Sequence, residues 1–401
     1  LILEKTIRTA IFGTGFMGRV HLEALRRLQF VEVVAIAGRN IEAARRLGSG
    51  FSIVKGTADF RDILSDPAID AIHICTPNAL HFLMAKAALE GGKHVLCEKP
   101  LATRVAEAEE LVALAEREGL FNCVCHNLRY YPMVQQMRRM REAGELGEIL
   151  AVQGTYFQDW LLHETDWNWR VEAEAGGPSR CMADIGSHWF DMAEHVTGLR
   201  VNSLSADLQT FYKTRKRPKH SSETFSSKLS GTDMLGINLL GTKDYLDTPV
   251  DTEDYGGVIF SMGERTHGSM SVSQVAAGRK NRLSIEISGT RASVGWNQER
   301  PDELWIGRRD AANQLLLKDP PLLKPEARAY ADLPGGHSEG YDDTFKQVFR
   351  RFYASISGAP ISAAGGVHDF PTFVDGLRQL KIVSAALESN RTRSWVDVSE
   401  N

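Results

Sequence analysis

Residues 7–28 constrain the fold more than any other stretch of the chain. Ile7–Phe12 is a short apolar run of strand character, and it passes directly into Gly13-Thr14-Gly15-Phe16-Met17-Gly18. From Arg19 to Leu28, the apolar residues Val20, Ala24, Leu25 and Leu28 recur at helical spacing. A strand, a G-x-G-x-x-G turn and a helix, in that order, are what a dinucleotide pyrophosphate requires. Gly13 permits the tight turn, Gly15 lets the pyrophosphate approach the main chain, and Gly18 lets helix and strand pack closely. Phe16 and Met17 are expected against the cofactor with them, and the amide end of the helix faces the anion. The alternative is a glycine-rich turn that holds no ligand.

Strands and helices then alternate. Strand-like runs at Val31–Ala37, Ala71–Cys75, Val95–Cys97 and Phe121–Asn127 are separated by helical patterns at Ile41–Leu47, Asp59–Leu64, Ala79–Glu90 and Thr103–Glu118. This predicts an α/β fold with a doubly wound parallel sheet, whose ligands bind at the carboxyl ends of the strands. Thr76, Pro77, Asn78, Glu98, Lys99 and Asn127 fall at those ends, with His81 just beyond, and all are expected to line the cofactor edge. About 20 residues past the glycines, where an acid for the adenosine ribose is expected, the chain has Gly38-Arg39-Asn40. No carboxylate repels a 2′-phosphate there, and the Arg39 guanidinium suits one. That leans toward NADP, although Arg39 stacked on adenine would serve NAD as well.

Lys99 follows the apolar strand Val95-Leu96-Cys97 and precedes Pro100. Pro100 has no N–H for a ladder and pushes Lys99 out of helical geometry, so the amine is held at a strand end. Beside Glu98 and an apolar floor, such a lysine can lose proton affinity and work near neutral pH. The plainer alternative is a surface Glu-Lys pair.

At 401 residues the chain is long enough for two or three domains. We expect a dinucleotide-binding domain over 1–128 and a second domain over 129–401, whose last segment packs back on the first. The net charge of −4 argues against a nucleic-acid partner. Five cysteines without zinc spacing suggest reduced core residues, no metal site and a cytoplasmic protein. No apolar run of about 18 residues suggests a membrane span, and no signal-peptide pattern is evident.

In the second domain, Tyr131–Ala143 is helical and Ile149–Phe157 is a strand that leads into Gln158-Asp159-Trp160. Trp167-Asn168-Trp169-Arg170 and a Gly176-Gly177-Pro178 loop precede Asp184-Ile185-Gly186-Ser187-His188. A helix from Asp184 to Val196, stopped by Gly198, puts Asp184 and His188 on one face with Asp191 nearby. A carboxylate beside an imidazole can fix its tautomer and raise its basicity. The alternative is a satisfied buried histidine and a capping aspartate. His195 is expected on the helix surface, and the basic run Lys213–His220 as a solvated loop. Val258–Met262, His267–Val275, Leu283–Ser288 and Ala292–Trp296 suggest an antiparallel meander whose apolar face needs helices or another subunit as cover.

Taken together, Gly13–Gly18, Thr76-Pro77-Asn78, Glu98-Lys99-Pro100, Trp169-Arg170, Gly176-Gly177 and Asp184–His188 resemble the Gfo/Idh/MocA family (glucose–fructose oxidoreductase, inositol dehydrogenase, rhizopine catabolism). The run Gly154–Trp160 is further similar to members that oxidise anhydrosugars such as levoglucosan. The Gly176-Gly177 pair departs from the family's usual three-glycine run. The resemblance implies an N-terminal Rossmann domain with NAD or NADP and a C-terminal α/β domain on an open, mainly antiparallel sheet. It also implies homodimers or homotetramers through that sheet, a carbohydrate substrate, and a catalytic set of Lys99, Asp184 and His188. Residue chemistry fits: oxidising a secondary alcohol needs a hydride acceptor and a base, and an imidazole suits the latter. His188 would be that base, oriented by Asp184, which also bonds the substrate. Lys99 would hold the hydroxyl, relay its proton and stabilise a developing alkoxide. Glu98 would pair with Lys99 or contact the nicotinamide side. Trp169 and Arg170 are placed near the cofactor, and Arg129, Gln158, Asp159 and Trp169 are candidates for sugar hydroxyls and a stacking face. The rival readings are a catalytically silent ligand-binding regulator on the same fold, and a glycoside-modifying enzyme that recycles its cofactor through a 3-keto intermediate.

Overall fold

The computed structural model describes residues 6–219, 245–358 and 369–398. Its first layer is a six-stranded parallel sheet: β1 (Ile7–Phe12), β2 (Val31–Ala37), β3 (Lys55–Thr57), β4 (Ala71–Ile74), β5 (His94–Cys97) and β6 (Asn122–Val124), in the order β3-β2-β1-β4-β5-β6. The order reverses beside β1, and a ligand crevice opens at such a point. Successive residues of a strand face opposite sides, and both sides of β1 are buried. Ile7 and Ile11 join one core with Leu22, Leu25, Phe349 and Phe352. Ala10 and Phe12 join the other with Ala85, Leu111, Phe373 and Leu380. The helix Tyr341–Ile356 thus returns from the far end of the chain to pack on the helix Phe16–Leu25. Phe373–Thr392 packs on Val105–Arg117 at the opposite face.

The second layer, among the described residues, is a nine-stranded mixed sheet in the order β16-β15-β14-β13-β7-β12-β11-β8-β17. Its strands are β7 (Ile149–Phe157), β8 (Val201–Gln209), β11 (Tyr255–Met262), β12 (Thr266–Ser273), β13 (Arg282–Gly289), β14 (Ser293–Asn297), β15 (Glu303–Gly307), β16 (Gln314–Leu317) and β17 (Val396–Asp397). The expected meander is corrected in one place. β12 and β13 do not pair, because β7 lies between them, parallel to β12 and antiparallel to β13. Alternation marks a segment as a strand but does not name its neighbours. Helices Pro132–Glu142, Ser187–Thr197 and Phe373–Thr392 cover one face over an apolar core. The other face is open and polar, with a groove of about 580 Å³ lined by residues such as Thr155, Ser271, Ser284, Glu286 and Trp305.

The basic run is also corrected. Thr214–Pro218 forms β9, paired antiparallel with β10 (Tyr245–Pro249), and Arg215 is wholly buried. Its guanidinium donates to Asp254 Oδ1 (2.7 Å) and to the Leu161 and His163 carbonyls. A residue-by-residue charge pattern cannot see that buried acceptor. From His220 the stretch lies outside the described residues. All five cysteines are buried and unpaired. No helix among the described residues is long and apolar enough to cross a membrane.

Candidate active site

The glycine turn has the shape a pyrophosphate needs. Gly13 adopts φ +114°, where a Cβ would lie 2.5 Å from the Cys75 carbonyl oxygen. A Cβ on Gly18 would lie 2.2 Å from the Gly13 oxygen, whereas one on Gly15 would have nothing within 4 Å. The chain is therefore closed around the first and third glycines and open at the second. Phe16 is exposed at the helix amide end, and Met17 packs partly against the core beneath. Arg39 is exposed at the carboxyl end of β2, beside Asn40, whose side chain caps the next helix.

The rim residues divide. Thr76, Pro77 and Asn78 follow β4, and the Asn78 amide donates to the Gly176 carbonyl (2.8 Å), tying the rim to the second lobe. His81 is not on the cofactor surface. It is fully buried, with Nδ1 at 2.7 Å from the Pro100 carbonyl and Nε2 at 2.9 Å from that of Thr76, so it braces two rim turns. Asn127 is also buried and donates to Thr344 Oγ1 (2.7 Å).

Glu98 does not pair with Lys99. Its carboxylate meets His21 Nε2 at 2.9 Å; His21 Nδ1 meets His73 Nδ1 at 2.8 Å, and His73 Nε2 meets the Tyr353 hydroxyl at 2.7 Å. One set of roles satisfies every atom: Tyr353 donates to His73, His73 to His21, and His21 to Glu98. Burial holds His73 well below its ordinary range, so its ring is neutral as this scheme requires. Burial acts to raise the Glu98 carboxyl, but the His21 hydrogen bond, the nearby Lys99 charge and the Cys125 thiol together outweigh it and the group is net lowered. His21, Glu98 and Cys125 place possible metal-binding atoms within 4.8 Å of one another. Burial, and then Glu98, push the Cys125 thiol well above its usual range.

Lys99 meets Asp184 instead. Its ammonium donates to Asp184 Oδ1 and to the Asp184 carbonyl, both at 2.8 Å. Arg170 Nε approaches the same Oδ1 at 3.3 Å while its guanidinium lies 4.4 Å from the Trp169 ring centre. The Gln274 amide donates to Oδ2 (2.9 Å). Burial acts to raise the Asp184 carboxyl, but Lys99 and Arg170 outweigh it and hold it at about 2. Arg170, expected at the cofactor, is thus turned to Asp184.

The expected Asp184–His188 couple does not form. Met182–Gly186 is a π-helical turn, and the α-helix begins at Ser187 and ends at Gly198 in the left-handed region. The wider turn breaks the i, i+4 alignment, and the Asp184 carboxylate faces Lys99, Arg170 and Gln274. His188 is buried one turn on, edge-on to His126 with ring centres 5.4 Å apart. Its Nδ1 is buried without a hydrogen-bond partner among the described residues. Burial, then the nearby Lys99 charge, hold the ring well below its ordinary range and so neutral.

Of the four proposed sugar contacts, Arg129 is displaced. Its fork donates to both oxygens of Asp191 (2.6 and 2.5 Å) and to Asp375 (2.7 Å), which leaves it a cross-link between elements. Asp191, expected near Asp184, belongs to this cluster. Asp159 is likewise occupied, accepting from Lys280 Nζ (2.6 Å) and the Gly278 amide. Gln158 is partly buried, donating to Asn281 and accepting from Trp160 Nε1 (2.6 Å). Trp169 keeps a ring beside the cluster, under Arg170. His195 is half-buried and accepts from Gln135 (3.0 Å), not free on the helix surface. Gln274, Arg180 and His126 carry no local signature, and only the folded chain reveals them.

Residues 7–126 match the family described as "Oxidoreductase family, NAD-binding Rossmann fold", and residues 134–295 match the "GFO/IDH/MocA C-terminal domain". The chain belongs to the Gfo/Idh/MocA family. Its curated relatives include the levoglucosan dehydrogenase of Pseudarthrobacter phenanthrenivorans, 30% identical over 99% of both chains. The D-xylose dehydrogenase of Paenarthrobacter nicotinovorans is 25% identical over 91% of this chain and 86% of that one. Among solved structures, a levoglucosan dehydrogenase with NADH and L-sorbose aligns with a TM-score of 0.85 and 29% identity, over 99% of this chain and 100% of that one. An inositol dehydrogenase homolog from Azotobacter vinelandii, with NAD+, aligns at 0.83 and 25% identity, over 99% and 98%. This Gfo/Idh/MocA member is therefore an NAD-binding oxidoreductase, and its open Gly15 flanked by closed Gly13 and Gly18 fits a dinucleotide.

Proposed function

We propose that this protein oxidises a secondary hydroxyl of a sugar or anhydrosugar, reversibly, with Lys99, Asp184 and His188 as its catalytic set. The observation that carries the reading is the meeting of Lys99 with Asp184 across the two lobes, with a neutral His188 one turn away. A bound nicotinamide supplies the hydride acceptor. His188, whose ring is neutral, takes the hydroxyl proton. The Lys99 ammonium bonds the same oxygen and offsets its developing negative charge, a contribution typically of several kcal/mol. Asp184 fixes the direction of that ammonium. Gln158 and the Trp169 ring remain the candidates for contact with the sugar.

Arg39, exposed where a ribose-binding acid is missing, supports use of NADP alongside NAD. The open polar face of the nine-stranded sheet supports assembly into dimers or tetramers. Five unpaired buried cysteines fit a reducing compartment such as the cytoplasm. A division at residue 128 is supported by the two sheets, with helices Tyr341–Ile356 and Phe373–Thr392 returning to the first. The test is a panel of sugars, levoglucosan and D-xylose included, assayed for NADH or NADPH formation at about 340 nm. Oxidation of at least one sugar is expected. No absorbance change with either cofactor over the whole panel would overturn the reading.

A further inference from the structure

We propose that Gln274 is a positioning residue for the reaction, presenting Asp184 Oδ2 with a fixed donor that favours its carboxylate form and holds its direction. The inference rests on the catalytic set proposed above. Gln274 follows β12 and has no exposed surface. Its main chain is fixed at both ends: its N–H donates to the Asp254 carbonyl (3.0 Å) and its carbonyl accepts from the Leu161 amide (3.2 Å). Its side chain lies between two groups with unequal roles. Arg180 can only donate, and its Nη1 faces Gln274 Oε1 at 3.4 Å. The amide nitrogen is left to face Asp184 Oδ2 at 2.9 Å.

Arg180 cannot turn to relieve this assignment. It is fully buried, its Nη2 donates to Asp254 Oδ1 (2.5 Å) and to the Thr252 carbonyl (3.1 Å), and its Nε donates to Thr252 Oγ1 (3.2 Å). Arg215 holds Asp254 from the other side at 2.7 Å. A flipped Gln274 amide would set donor against donor at Arg180 and acceptor against acceptor at Asp184. The polarity therefore runs one way, from Arg180 through Gln274 to Asp184.

The consequence is local. Asp184 Oδ1 faces the cations of Lys99 and Arg170, and Oδ2 faces the Gln274 amide, so the donors around both oxygens favour the carboxylate over the acid. The other titratable groups around it are Tyr156 on β7, Cys181 before the π turn and His188 after it. Burial favours the neutral form of each. Without the Gln274 donor, Oδ2 is more easily protonated and the carboxylate is freer to rotate, and the direction of Lys99 is lost with it.

The test compares wild type, Gln274→Glu and Gln274→Met. Aspartate labelled with 13C at its side-chain carboxyl gives one signal for Asp184, identified by its loss in Asp184→Asn. Its titration midpoint is expected to rise by about one pH unit in Gln274→Met. It should rise further in Gln274→Glu, where two facing carboxylates share a proton. With an oxidised sugar as substrate, kcat should fall about tenfold or more, and the acid side of the pH profile should move upward in Gln274→Glu. NADH affinity by fluorescence should stay within about twofold. If Gln274→Glu does not fold, Gln274→Met carries the test. An Asp184 midpoint unchanged from wild type in a folded variant overturns the proposal, even where activity falls. If wild type oxidises no sugar, the function proposed above fails, while the carboxyl titration still decides the role of Gln274.

Discussion

Lys99 Nζ bonds both the side chain and the main chain of Asp184, at 2.8 Å each, across 85 positions of sequence. The strand end of the parallel sheet is thereby joined to the π turn of the other lobe. Removing the lysine removes this lobe contact and, on the proposed mechanism, the cation beside the reacting oxygen. Lys99→Ala is expected to lower kcat/KM by about 10²–10³, with NADH affinity little changed. Near-normal turnover would refute the role given to Lys99.

Arg129 is expected to matter for stability and not for sugar binding. Arg129→Met leaves the buried Asp191 and the partly exposed Asp375 without their cation, and breaking a buried pair costs about 3–5 kcal/mol. Urea unfolding should show that loss while KM for the sugar stays within about twofold. A large rise in KM with unchanged stability would return Arg129 to the substrate.

His188 makes a prediction in pH. Burial depresses its folded-state pKa below the unfolded value of about 6.5, so the unfolded chain binds more protons as pH falls through that value. The stability of neutral His188 is thus present above about pH 6.5 and lost below it. His73 and His126 are depressed by burial in the same sense. Unfolding free energy should fall between pH 7 and pH 5, and less steeply in His188→Asn. Equal slopes in the two proteins would mean that His188 is not buried neutral. The same substitution should flatten the acid side of kcat/KM.

Arg39 is exposed at the carboxyl end of β2, and its proposed role is to bind the cofactor's 2′-phosphate. Arg39→Asp should weaken NADPH by about tenfold more than NADH, which is ~1.4 kcal/mol. Fluorescence titration with both cofactors measures it. Equal losses would mean that Arg39 does not contact the 2′-phosphate.

Much of the first sheet is visible in the sequence, because its strands, its glycine turn and its helices are each written in a few consecutive residues. The helix Tyr341–Ile356 is expected only as part of a last segment that packs back on the first domain; nothing in its pattern says which face of the sheet it covers. Lys99, Asp184 and His188 are candidates from their local settings and from the family resemblance, but those settings do not show which side chains surround them. Glu98 turned to His21 and not to its neighbour, Arg129 to two aspartates and not to a sugar, and His81 to two carbonyls and not to a cofactor. The π turn was invisible as well: one residue added to a helical turn leaves no mark on apolar spacing.

By itself the sequence determined where the chain turns and which segments alternate between strand and helix in the first domain. These follow from steric and hydrogen-bonding rules that act over a few residues. The tertiary structure alone decided which charge meets which. A buried ion takes whichever counter-charge and donors packing brings within about 3 Å, however far away they lie in sequence. That is why the pairing of Lys99 with Asp184, and the placement of Gln274 behind it, had to come from the fold.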